Sequence, residues 1–261
     1  MDQQKKIESE IFEKEGASQT ENPYSVPLAI VIAGAIIAGA IFSSSSGKPF
    51  APVGDNKKGV AEINQPQGGI GSLDAMKPVS AIDHILGDPD APIKIVEFSD
   101  TECPFCKRFH PTMHNAIEEY GKNGEVAWVY RHFPIDSLHP IKARKEAEAT
   151  ECANELGGNA KFWAYLDRLF EITPSNNQLD LNQLPEIAVY VGLDRARFLQ
   201  CLDSGKYAEH VADDLADGGN TGINGTPFSI VIAQNGKKFP LNGAQPYSAV
   251  KALIELARKE K

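Results

Sequence analysis

The tetrapeptide Cys103-Pro104-Phe105-Cys106 constrains this chain more than any other stretch. An apolar run precedes it, with Ile93, Ile95, Val96 and Phe98 interrupted by Lys94 and Glu97. Residues 107–120 follow it with helical character. Two cysteines spaced by two residues at a strand-to-helix junction point to dithiol–disulfide chemistry. The first lies where a helix begins, among unpaired N–H groups and at the positive end of the helix dipole, which together stabilise a thiolate. The second lies one turn on, close enough to close a small disulfide ring. Pro104 suits the first helical turn because it has no N–H to lose there. Two plainer readings compete: a structural disulfide, which is uncommon at such a turn, and half of a zinc site. Zinc needs two further ligands close by, and the remaining cysteines, Cys152 and Cys201, fall in a later block of helices.

With 261 residues and a formal charge of −9, the chain has room for one large domain of roughly 180 residues plus appendages. The acidic balance and the lack of a basic stripe argue against a nucleic-acid partner. An even number of cysteines fits an oxidising compartment. Residues 1–22 form a polar tail that cannot bury a core. Residues 24–42 carry no charge over 19 positions, near the ~20 that cross a bilayer as a helix. A transmembrane signal anchor over residues 23–42 is the expectation. A cleaved signal peptide and a buried core helix are the alternatives, and the long acidic lead-in is unlike the short basic start of a cleaved signal. Lys14 on one side and Lys48, Lys57 and Lys58 on the other leave the orientation open. Residues 43–79 contain Ser43-Ser44-Ser45-Ser46-Gly47, several prolines and Gly68-Gly69, and read as a flexible tether.

The folded domain is expected over residues 80–261. Asp88-Pro89-Asp90-Ala91-Pro92 is a turn that launches the strand Ile93–Ser99. The following helix carries Pro111, which predicts a kink. Residues 126–131 read as a second strand. Residues 141–156, 161–170, 184–191, 194–202 and 207–217 carry apolar side chains at helical period. Residues 228–233 are a strand, Asn235-Gly236 a hairpin turn, and 238–241 its partner. Residues 247–259 form a closing amphipathic helix. The order βαβ, helices, ββα defines an α/β fold with one sheet and a helical insertion at about 140–218.

Several further residues fall into place around the cysteine pair. Glu97 stands six residues before Cys103, and Pro111 five residues after Cys106. Gly225-Thr226-Pro227 precedes the third strand, and Tyr130-Arg131-His132-Phe133-Pro134 and Lys161-Phe162-Trp163 lie between. In order and spacing these make the chain, from about Ala81 onward, resemble the DsbA-like thiol–disulfide oxidoreductases. Among them it is most similar to the membrane-tethered, BdbD-type members. The resemblance implies a thioredoxin fold with an inserted helical domain, preceded by a single N-terminal transmembrane helix and a tether.

Cys103 is the candidate nucleophile and Cys106 its resolving partner. The resemblance gives Glu97 the role of a buried acid that relays a proton for Cys106; the plain alternative is a strand residue facing solvent. Composition alone makes the Thr226–Pro227 bond trans, whereas the resemblance makes Pro227 cis. The Thr226 backbone then pairs with an extended substrate chain, and Phe105 lies at the same substrate-binding face. Cys152 and Cys201, 49 residues apart, read as a structural disulfide or as two buried free thiols. His110 and His114 share a helix face but read as solvated or packed rather than as part of a Cys-His-His metal set, so no metal is expected. Trp128, Phe162, Trp163 and Tyr207 read as core.

The expected protein is a single-pass enzyme of the cell membrane whose extracytoplasmic domain introduces disulfides into unfolded or reduced secreted proteins. The resemblance implies reoxidation by a membrane partner of the DsbB or VKOR type, and no cofactor. Two other readings stand beside it: a reductase or isomerase of the same fold, and a tethered binding or chaperone module whose cysteine pair is structural.

Overall fold

The strand that leads into the cysteines is the centre of a five-stranded sheet. The computed structural model describes residues 72–260. Its strands are β1 (His84–Leu86), β2 (Ile93–Ser99), β3 (Val126–His132), β4 (Phe228–Ile232) and β5 (Lys238–Asn242). They lie in the order β1-β3-β2-β4-β5. β2 runs parallel to β3 and antiparallel to β4, and β1 is antiparallel to β3. Helix α1 (Pro104–Ala116) is the crossover between β2 and β3, and it passes into a π-helical turn, Ile117–Gly121. Between β3 and β4 lie α2 (Lys142–Gly157), α3 (Asn159–Ile172), α4 (Gln183–Tyr190), α5 (Arg195–Ser204) and α6 (Ala208–Thr221). Helix α7 (Tyr247–Ala257) closes the fold.

Burial on both faces explains why β2 and β3 read as near-continuous apolar runs. Ile93 and Ile95 share a core with Cys106, Phe109 and Met113 of α1 and with Val250 and Ile254 of α7. Val96 and Phe98, on the opposite face by the period of two, pack with Ile230, Ile223 and Met76. Strand β1 escaped the sequence because it is three residues long with no alternation. It ends at Gly87, whose φ of +105° suits glycine and where a Cβ would sit 3.0 Å from the Val126 carbonyl oxygen.

The inserted helices make a core of their own, with Tyr165, Leu169, Leu184, Ile187 and Phe198 at its centre. Cys152 of α2 and Cys201 of α5 form a disulfide there, with their Cα atoms 5.8 Å apart. Closing a loop of 49 residues restricts the unfolded chain, which is worth about 4 kcal/mol on loop entropy alone. Replacing both cysteines by alanine is expected to lower stability by about 3 kcal/mol in chemical denaturation. Because the pair lies in the insertion's core, exchange at Cys103 and Cys106 should persist in that variant.

The polar tail (1–22), the expected anchor (23–42) and most of the expected tether lie outside the described residues. Among the described residues no helix is long and apolar enough to cross a membrane. The last residues of the stretch read as tether are docked rather than free. Met76 is buried, and the Lys77 N–H donates to Asp217 at 2.7 Å. Arg131 of β3, itself buried, donates to Asp83 and Asp217 at 2.7 Å each and to the Lys77 and Pro78 carbonyls. The ordered fold therefore starts several residues before position 80. Pro111 lies inside α1, which continues to Ala116.

Candidate active site

Cys103 is the N-cap residue of α1, in extended conformation, and Pro104 occupies the first turn. Its side chain makes no capping bond, so its sulfur stands at the mouth of the helix. Cys103 and Cys106 are both free thiols, and both are buried. The Cys103 thiol is pulled down to about 6, first by a hydrogen bond from the Cys106 thiol and further by the backbone N–H groups of Cys106 and Phe105. Burial opposes this but is outweighed. Cys106 goes the other way: it is fully enclosed, and burial pushes it well above the ordinary thiol range. The Asp100 N–H points at its sulfur at 3.5 Å. One sulfur is thus set to be a thiolate and the other to keep its proton.

Glu97 is 1% exposed, on the β2 face that carries Ile93 and Ile95 towards α1. Its Oε2 has no hydrogen-bond partner. Burial pushes its carboxyl up to about 8, against the pull of Ser99 and Trp128. Glu97 is therefore protonated at neutral pH, and its charge when ionised is felt by Cys106. A buried carboxyl that titrates near neutrality beside a buried thiol can pass a proton to it.

The loop between β2 and α1 is held by acids that sequence reasoning missed. Asp100 accepts from the Ile135 N–H at 2.7 Å, from the Glu102 N–H at 2.8 Å and pairs with His139 Nδ1 at 2.8 Å. Glu102 is buried and receives the N–H groups of Gln178 and Leu179 from the insertion. Glu146 of α2 is buried nearby with both oxygens unpartnered, and burial raises it to about 9. The available signal was the run Asp100-Thr101-Glu102, three polar residues closing an apolar strand immediately before a cysteine.

From the other side, the loop before β4 closes over the sulfur. The Thr226–Pro227 peptide bond is cis, and the Cys103 thiol lies 3.5 Å from the Thr226 carbonyl oxygen. Phe105 is 53% exposed, with the Arg108 guanidinium 5.2 Å from its ring centroid. The structure thus brings together Cys103, Cys106, Glu97, Thr226, Pro227 and Phe105 in one region. Cys152 and Cys201 lie apart, in the insertion. His110 and His114 do share a face of α1, but their neighbour is Asp167 of α3 and not a cysteine. Burial pushes His110 below the usual imidazole value.

A strand, a helix capped by one cysteine and a cis-proline loop against its sulfur define a dithiol–disulfide exchange site on a thioredoxin fold. The thioredoxin family model matches residues 80–256, and the chain belongs to that family as a DsbA-like thiol–disulfide oxidoreductase. The solved structure of DsbA2 from Pseudomonas aeruginosa is 27% identical with a TM-score of 0.58, over 70% of this chain and 98% of that one. Oxidised BdbD from Bacillus subtilis is 25% identical with a TM-score of 0.59, over 73% of this chain and 97% of that one. A curated relative, the Na(+)/H(+) antiporter NhaA 1 of Mycolicibacterium gilvum, is 34% identical over 158 residues, 60% of this chain and 24% of that protein. The chain spans about a quarter of the length of the curated relatives it matches.

Proposed function

We propose that this chain is an extracytoplasmic oxidase, held at the cell membrane by residues 23–42, that donates the Cys103–Cys106 disulfide to reduced secreted proteins. The observation that supports exchange chemistry at this pair is the split between the two thiols, Cys103 lowered to about 6 and Cys106 raised, which makes Cys103 both the attacking thiolate and the better leaving group. A dithiol whose first sulfur rests as a stabilised thiolate has a stable reduced form, so its disulfide is readily given away. In the oxidised enzyme a substrate thiolate attacks Cys103 Sγ. The Cys103–Cys106 bond breaks, a mixed disulfide forms, and Cys106 leaves with the bonding electrons and takes a proton, for which Glu97 is the source. A second substrate thiolate then attacks the substrate sulfur of the mixed disulfide. Cys103 leaves as a thiolate, the substrate gains one disulfide, and the enzyme holds two electrons.

Those electrons must go to an oxidant, for which a membrane partner of the DsbB or VKOR type is the proposal. The cis-proline loop suits substrates of varied sequence because backbone pairing at Thr226 reads no side chain. The deciding measurement is the reduction potential of the Cys103–Cys106 pair against glutathione. The expected value lies between about −200 and −120 mV; a value near about −270 mV, as in thioredoxin, would instead assign a reductase.

A further inference from the structure

We propose that His110, His114 and Asp167 form a binding site for Zn2+, or another late first-row divalent cation, which ties the redox helix α1 to α3 of the insertion. His110 Nε2 and His114 Nε2 lie 2.7 and 2.8 Å from the same atom, Asp167 Oδ1, and 3.2 Å from each other. Within a triangle that small, one point can lie about 2.0–2.1 Å from all three corners, the usual zinc–ligand distance. As hydrogen bonding alone the arrangement is poor. Two imidazole nitrogens in contact converge on one carboxylate oxygen. A cation at the common point replaces these contacts with three lone pairs directed at one centre.

The ligands are held before an ion arrives. The His110 ring packs between Trp128 and Phe170, with centroids 5.2 and 4.7 Å away, and His114 stands edge-on to Trp128 at 5.4 Å. Two imidazoles with one carboxylate suit zinc and its neighbours, whereas calcium and magnesium prefer all-oxygen sites. The side chains of His114 and Asp167 are 38 and 45% exposed, which provides an entry path and room for water as the fourth ligand. His110 follows Cys106 by one helical turn, so occupancy would brace the helix that carries the redox pair. A second group, His84, His132 and Glu151, is fully buried elsewhere and is the rival destination for an added ion.

The test uses the oxidised full chain, in which the Cys103–Cys106 disulfide leaves no thiolate to compete. Titration with Co2+ is expected to give visible d–d absorption without thiolate charge-transfer bands, displaced by one equivalent of Zn2+. That equivalent should bind at least tenfold more weakly in Asp167→Asn, which preserves shape, and in His114→Ala, at a half-exposed position. At one fixed Zn2+ concentration, the melting temperature of the parent protein should rise more than that of Asp167→Asn. No binding by the parent protein, or binding that neither substitution weakens, overturns the proposal.

Discussion

Cys103→Ser is expected to abolish thiol–disulfide exchange while leaving the fold intact, since Ser at this N-cap satisfies the start of α1 at least as well as Cys does. The loss should be complete because no other sulfur can take over. Cys106 is fully buried and holds its proton, and Cys152 and Cys201 are already joined. Cys106→Ser should behave differently: the Cys103 thiolate still attacks a substrate disulfide and releases one substrate thiolate, but the mixed disulfide is not resolved from within and accumulates. The same thiol sets a pH dependence. Alkylation of Cys103 should follow one ionisation with a midpoint near 6. Its folded value lies below the ordinary ~8.5 of an unfolded thiol, so the reduced protein gains stability as pH rises from about 6 and loses it as pH falls through that value. Ultraviolet absorbance of the thiolate during acid titration measures the midpoint. A midpoint at the ordinary thiol value, or full exchange activity in Cys103→Ser, would return the cysteine pair to a structural role.

Much of this site was legible in the sequence for local reasons. A cysteine pair at a strand-to-helix junction, a proline fitted to the first turn and strongly periodic helices are all written in neighbouring residues. The element order βαβ, helices, ββα followed from that, and the helical periods located the insertion to within a few residues at each end. What stayed hidden depends on distant contacts. Strand β1 exists because β3 offers it an edge, not because His84–Leu86 has a strong pattern. The docking of residues 76–78 needs Arg131 and Asp217, and the support of Glu102 needs the N–H groups of Gln178 and Leu179. Asp167 stands 53 residues from His114, so helical spacing could pair the two histidines and could not supply the third group. Glu97 lay between the two cases. Its position in an apolar strand was visible, but whether it faced water or α1 depended on which face of β2 was covered, and both are.

Glu97→Gln should separate activity from stability, moving them in opposite directions. The carboxyl is fully enclosed, and burial raises it to about 8. In the unfolded chain it returns to about 4.3. Between those values the folded protein keeps a proton that the unfolded chain releases. The penalty is absent below about 4.3, grows as pH rises through the window, and is full above about 8. At pH 7 it is of order 3 kcal/mol. Glutamine carries no charge in either state and so removes this slope. The variant should match the parent protein near pH 4 and exceed it in stability by a few kcal/mol at pH 7, less the cost of an amide whose hydrogen bonds are unmet. Catalysis should suffer, because a glutamine amide cannot pass a proton to and from Cys106. General acid–base assistance is worth about 10²–10⁴ in rate, and that loss should fall on the steps in which Cys106 leaves or attacks. Alkylation of Cys103 in the reduced protein should change little, since its thiolate is held chiefly by the Cys106 thiol. Parallel stability–pH curves for the two proteins, or unchanged exchange rates, would remove Glu97 from the proton path.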